Sequence, residues 1–230
     1  LAAAWTAPSD TYNNSASGSV NLFSAGYAVN LAATTGNYGF NVTNTAGATS
    51  LTGSNFNDTL IGGTGNDTLN GGAGNDKLTG GGGNNTFIVA SGSDSITDFT
   101  SADILQVSSG ATASAAVANS YTALAANLQL SGSLNLSTNS YTVDLSAITS
   151  GSGSISVTNS GESAKITGST LKDSLTGGTS SDTLIGGAGN DTLNGGFGDD
   201  TLTGGTGNDT FYIYNNTNNY NSSTTTDTIT

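Results

Sequence analysis

The sequence predicts an all-β chain, built as parallel β-solenoid blocks in two tandem modules of about 115 residues. Three observations carry this. A nine-residue unit recurs through two stretches of the chain. A longer repeat places Gly62 on Gly177 and Gly74 on Gly189. Between the arrays, short runs alternate apolar and polar residues with the period of a strand.

The nine-residue unit reads G-G-x-G-x-D-x-U-x, with U a large apolar residue. It runs GGTGNDTLN from Gly62, GGAGNDKLT from Gly71 and GGGGNNTFI from Gly80, preceded by the degenerate GSNFNDTLI from Gly53. It returns as GSTLKDSLT from Gly168, GGTSSDTLI from Gly177, GGAGNDTLN from Gly186, GGFGDDTLT from Gly195 and GGTGNDTFY from Gly204. The first six residues read as a turn, because glycine permits positive φ and lets carbonyls crowd one point. Asn at the fifth position (Asn57, Asn66, Asn75, Asn84, Asn190, Asn208) tolerates a left-handed backbone. The last three residues read as a short strand with one inward side chain: Leu60, Leu69, Leu78, Phe87, Leu175, Leu184, Leu193, Leu202 and Phe211. One apolar residue in nine cannot form a core unless coils stack into ladders.

Stacking also sets the sixth-position aspartates in columns: Asp58, Asp67, Asp76, Asp173, Asp182, Asp191, Asp200 and Asp209, with Asn85 as the exception. Coils about 4.8 Å apart bring these carboxylates into mutual repulsion. A hard dication reverses the sign. Calcium accepts carboxylates mixed with carbonyls in irregular geometry, magnesium demands a tight octahedron, and zinc would want the His and Cys this chain lacks.

This pattern resembles the RTX (repeats-in-toxin) family, the calcium-binding β-roll. The resemblance covers residues 53–88 and 168–212, with the flanking Asp94-Ser95-Ile96-Thr97-Asp98-Phe99 similar to the segment that follows such arrays. It implies that two successive units form one coil and that several Ca2+ ions lie between units n and n+2. The paired turns would then be Asp58 with Asp76, Asp67 with Asn85, Asp173 with Asp191, Asp182 with Asp200 and Asp191 with Asp209. The candidate ligands are the eight aspartates and the turn residues Gly62, Gly71, Gly80, Gly177, Gly186, Gly195, Gly204, Thr64, Gly65, Ala73, Gly74, Ala188, Gly189 and Gly198. Asn85 removes one charge, and Asn55-Phe56 and Thr170-Leu171 replace the glycine-bearing middle of each leading turn, so those edge sites are expected to be weak or empty.

The remainder divides as a β-rich lead-in over residues 1–52, the first roll over 53–105, a linker and second lead-in over 106–167, and the second roll over 168–230. Tyr27-Val29-Leu31 and Phe40-Val42 in the first lead-in match Tyr141-Val143-Leu145 and Ile155-Val157 in the second. Their spacing narrows toward nine on entering each array, as wider solenoid coils or a small sandwich would. Val117, Tyr121, Leu124 and Leu128 fall at helical spacing in an Ala-rich stretch, which fits one short helix or another strand pair. Asp94-Ser95-Ile96-Thr97 recurs as Asp227-Thr228-Ile229-Thr230, so the parent chain is expected to continue past Thr230.

Composition narrows the function. Across 230 residues there are 3 basic and 16 acidic side chains, a net charge of −13, and no Cys, His or Met. The basic residues are Lys77, Lys165 and Lys172. Phosphate neutralisation needs Lys/Arg clusters, so nucleic acid is not an expected partner. No apolar run is long enough to span a membrane as a helix. Thiol and His-based catalysis have no residues to work with, and Glu162 is the only glutamate, so no enzyme is expected. The expected function is a secreted, calcium-folded structural protein, exported by type I secretion as the resemblance implies. It would self-assemble with its own copies into an extracellular surface layer (S-layer), sheath or filament. The alternatives are an adhesin stalk or the repeat region of a secreted toxin or hydrolase. Trp5, Tyr212, Tyr214 and Tyr220 are candidates for contact with a cell-surface polysaccharide or a neighbour.

Overall fold

The computed structural model describes residues 3–8, 11–13, 18–213 and 228–229. Every regular element among them is a β-strand. The chain forms two compact units: Leu1–Ala115 with Ala126–Ser133, and Ala116–Ala125 with Leu134–Thr230.

In the first unit, strands alternate between two parallel sheets, so that each coil contributes one strand to each. One sheet contains Val20–Ser24, Phe40–Asn44, Thr59–Thr64, Lys77–Gly82 and Ser93–Ile96. The other contains Val29–Asn30, Ser50–Thr52, Thr68–Asn70, Thr86–Val89 and Ile104–Val107. Within the array, Leu60 stands beside Leu78 and Leu69 beside Phe87, a register of 18 residues, so two nine-residue units make one coil. The lead-in belongs to the same solenoid. Val29 pairs with Leu51 at 22 residues, then Leu51 with Leu69 at 18. The extra residues are taken up in wider turns while the inward ladder continues, so no separate sandwich forms.

The second unit repeats the scheme. Ser154–Asn159, Lys172–Gly178, Thr192–Gly196 and Thr210–Tyr212 form one parallel sheet. Val143–Asp144, Lys165–Thr167, Thr183–Ala188 and Thr201–Thr206 belong to the other, with Thr228–Ile229 following. Val143 pairs with Ile166 at 23 residues, and Ile166 with Leu184 at 18.

The eighth-position residues Leu60, Leu69, Leu78, Phe87, Leu175, Leu184, Leu193 and Leu202 are fully buried. Phe211, on the last continuous rung described, is half-buried. Val29, Leu31, Val143 and Leu145 point inward, but Tyr27 and Tyr141 stand exposed where their strands begin.

The short helix is a correction. Residues around it form Thr112–Ala116, Tyr121–Thr122 and Leu128–Leu130, all strands. Ala113, Ala115 and Val117 are buried at period two, whereas Leu124, which a helix would have turned inward, is exposed. The four-residue spacing of the apolar residues arose from successive strand and turn positions. Among the described residues no helix is long and apolar enough to cross a membrane.

Candidate metal centre

The sixth-position aspartates lie where each turn meets its strand, and they are buried despite their charge. Asp58, Asp67, Asp76, Asp173, Asp182, Asp191 and Asp200 are each at most 3% exposed. The 18-residue register explains their alignment. Each carboxylate accepts, through Oδ1, the backbone N–H of the residue one coil earlier. Asp58 N–H donates to Asp76 at 2.8 Å, and Asp173 N–H to Asp191 at 2.9 Å. Asp182 N–H donates to Asp200 at 2.8 Å, and Asp191 N–H to Asp209 at 3.0 Å. Asn85 keeps this bond, accepting from Asp67 N–H at 3.0 Å, which is why the fold tolerates it.

The second oxygen of most of these groups is the exception. Oδ2 of Asp67, Asp76, Asp182 and Asp191 is buried with no hydrogen-bond partner. Each faces the first glycine of its own unit. A methyl group on Gly62 would stand 2.6 Å from both Asp67 Oδ2 and the Gly80 carbonyl oxygen. On Gly177 it would stand 2.6 Å from Asp182 Oδ2 and 2.5 Å from the Gly195 carbonyl, and on Gly186 2.5 Å from Asp191 Oδ2 and the Gly204 carbonyl. The same placement on Gly195 and Gly204 would meet Asp200 and Asp209 Oδ2, and on Gly80 the side chain of Asn85. Glycine therefore opens a point on which a carboxylate oxygen and a carbonyl of the next coil converge, a donor set suited to a hard cation. Among the described residues no three carboxylates gather, so carbonyls must complete any such shell.

Burial lifts the acids. Asp76 is pushed up to about 8, chiefly by desolvation and further by the charges of Asp94 and Asp58. Asp173 rises to about 7, again by desolvation first, then by Asp191. Asp58, Asp67, Asp182 and Asp191 are raised for the same leading reason. A buried carboxylate with one unsatisfied oxygen needs a proton or a cation.

The leading unit of each array differs. Oδ2 of Asp58 accepts the N–H of Ser54 at 2.6 Å and its hydroxyl at 2.9 Å. Asp173 accepts Ser169 N–H at 2.7 Å and its hydroxyl at 2.9 Å. Serine in place of the second glycine thus satisfies the first carboxylate of each array, Asp58 and Asp173, from within its own unit.

The outer part of the turn carries the predicted third- and fourth-position residues. Gly65, Gly74, Gly189 and Gly198 all have positive φ, from 107° to 133°, and pack on the backbone of the preceding coil. Ala73 and Ala188 donate their N–H groups to the carbonyls of Ser54 and Ser169, both at 3.1 Å, and Thr64 lies exposed at a strand end. The fifth-position asparagine corrects expectation. None has positive φ; the only non-glycine that does is Ser140, among the described residues. Asn57 instead accepts the N–H of Asn75, Asn66 that of Asn84, and Asn190 that of Asn208, at 2.8 to 2.9 Å. This side-chain ladder ties adjacent turns together.

The expected first roll reaches residue 105, but its candidate ligands end at Gly80, short of two further aspartates. Residues 89–97, VASGSDSIT, and 98–106, DFTSADILQ, keep the sixth and eighth positions while losing both opening glycines. Asp94 and Asp103 extend the two columns, accepting Asp76 N–H at 3.0 Å and Asn85 N–H at 2.7 Å. The retained signal was an Asp 18 residues after Asp76 and Asn85, each followed by a buried apolar residue, Ile96 and Leu105. Of the aromatic candidates, Trp5 is half-buried on a strand and Tyr212 exposed. Tyr214, Tyr220 and Asp227 lie outside the described residues.

The family model for the RTX calcium-binding nonapeptide repeat matches in four copies, over residues 52–87, 79–111, 167–202 and 176–211. No curated protein and no solved structure matches the chain. Such repeats bind Ca2+, and their number implies several ions.

Proposed function

The chain belongs to the RTX calcium-binding repeat family, and from that premise we propose that it is a structural segment of a secreted protein, folded by extracellular calcium and assembling with its own copies into a layer, sheath or filament. RTX repeats are typical of secreted extracellular proteins. The observation that carries the reading is the set of buried Oδ2 atoms on Asp67, Asp76, Asp182 and Asp191 without a partner. Leaving several carboxylates dry and unpaired costs several kcal/mol each, so the closed coils need a counter-ion. Asp67, Asp76, Asp182, Asp191, Asp200 and Asp209 would hold it, with carbonyls of Gly80, Gly195 and Gly204 completing the oxygen set. Calcium supplies the charge that lets neighbouring coils close. Ion uptake and folding are then one equilibrium, open where calcium is scarce and closed where it is abundant.

Assembly is supported by the duplicated module and by the small, polar, cysteine-free composition. Catalysis has little to draw on: the buried acids are spaced along columns rather than gathered on a groove. The test is a calcium titration followed by far-UV circular dichroism and light scattering, with magnesium as comparison. Cooperative gain of β-structure with calcium alone, accompanied by rising scattering, is the expected result. A chain equally folded in chelator would overturn the calcium reading. A folded monomer that never scatters would overturn assembly and leave a stalk or an enzyme's repeat region.

A further inference from the structure

We propose that the lead-in coil beside each array closes without calcium, because Asn44 and Asn159 put a side-chain amide in the ion's place, and that this coil is the preformed edge on which the calcium-bound coils grow. The proposal rests on the calcium reading above and sets its boundary. Strand register locates the switch. Thr43 stands beside Ile61 and Thr158 beside Thr176, so Asn44 falls beside Gly62 and Asn159 beside Gly177, the first glycine of an array unit. The aspartate is replaced at the same time. Thr49 and Ala164 hold its position and give their N–H groups to Asp67 and Asp182, both at 2.7 Å. On the other column Ile155 stands beside Asp173. The coil before each array thus has no carboxylate to neutralise.

Both amides are buried, at 3% and 2% exposure. Asn44 Nδ2 donates to the carbonyls of Gly62 and Gly47, both at 2.7 Å. One coil later the equivalent carbonyl, that of Gly80, meets Asp67 Oδ2 at the candidate ion point. Asn159 Nδ2 donates to the Glu162 carbonyl and reaches Asp182 Oδ1 at 3.4 Å. Each Oδ1 is used as well, accepting Gly26 N–H at 2.7 Å and Ser140 N–H at 2.9 Å. The two hydrogens of an amide therefore hold together oxygens of the kind a cation would gather. Two further observations agree. Among the described residues, the acids with an unpartnered buried oxygen begin at Asp67 and Asp182, and none lies in a lead-in. Phe40–Asn44 and Ser154–Asn159 each bury two large apolar side chains, whereas Thr59–Thr64 and Lys172–Gly178 each bury one. The added apolar burial takes over the stabilisation that an ion gives the array.

The experiment is hydrogen–deuterium exchange of the full chain, read by mass spectrometry in chelator and in saturating calcium. In chelator, peptides within 40–52 and 154–167 should exchange at least about tenfold more slowly than unstructured chain, while those within 62–82 and 177–206 exchange freely. Lead-in peptides that are unprotected until calcium is added would overturn the proposal and leave the calcium reading standing. Arrays protected in chelator would overturn both. N159D tests the amide itself, because it sets a second carboxylate against Asp182. Peptides within 154–167 should then lose their protection in chelator, and unchanged protection would show that the amide does not close the coil. Should N159D fail to fold even in calcium, the parent's exchange in chelator decides. After calcium is added, pulse labelling should find residues 172–178 protected before 201–206; the reverse order would overturn growth from the lead-in.

Discussion

Replacing Leu78 by Ala tests whether the apolar ladder and the ion columns form one cooperative system. Leu78 is wholly buried, stacked between Leu60 and Ile96 on one sheet, and follows Asp76 by two residues. A solenoid rung touches only the rungs beside it, so little can collapse into the void. Leu→Ala at such a position costs about 3 kcal/mol. If folding of the first unit takes up two ions together, a tenfold rise in free calcium contributes about 2.7 kcal/mol. The calcium midpoint of L78A should therefore rise about tenfold, and further still if one ion governs the step. The assay is the circular dichroism midpoint in calibrated calcium buffers. T79A is the comparison, because Thr79 shares only an exposed hydroxyl contact with Thr97, at 2.8 Å, and its midpoint should stay within about twofold. An L78A midpoint equally close to the parent would refute the coupling.

Protons should partly replace calcium. Asp76, Asp173 and Asp94 are raised to about 8, 7 and 6, so the folded chain binds protons that the unfolded chain releases. Their stabilising effect is complete below the ordinary value of 3.8 and is lost as pH rises through 6 to 8. In chelator, β-structure should accordingly grow as pH falls from 8 toward 4; a loss over that range contradicts the assignment. Gly81 and Gly82 form a matched pair. Gly81 has φ +87° and lies against the Gly63 carbonyl, so G81A should cost more than about 1 kcal/mol and raise the calcium midpoint. Gly82 has open space around it, and G82A should be near neutral by the same titration. Asn159 accepts N–H groups from Ser140 and Gly161 and donates to the Glu162 carbonyl inside the second lead-in. N159A should destabilise that unit by about 2 kcal/mol in thermal melts at saturating calcium; an unchanged melting temperature would show that water replaces these bonds.

The nine-residue period, the inward Leu and Phe, the sixth-position aspartates and the 115-residue duplication were all legible from residue order. Each is a local requirement repeated at constant spacing: glycine for the turn, one apolar residue for the ladder, one carboxylate at the turn's end. Other features required the stacked chain. Asp94 and Asp103 join the columns because they fall 18 residues after Asp76 and Asn85, although the glycines that mark a unit are gone. The fifth-position asparagines hold neighbouring turns rather than bending their own backbone. Val117, Tyr121 and Leu128 are strand and turn positions, a pattern that helical spacing imitates until Leu124 is seen to face solvent. Local chemistry thus determined what each unit contains. Which carboxylates remain short of a partner was decided partly within the unit, where Ser54 closes Asp58, and partly by stacking, which alone sets Ala113 rather than a polar residue beside Asp94.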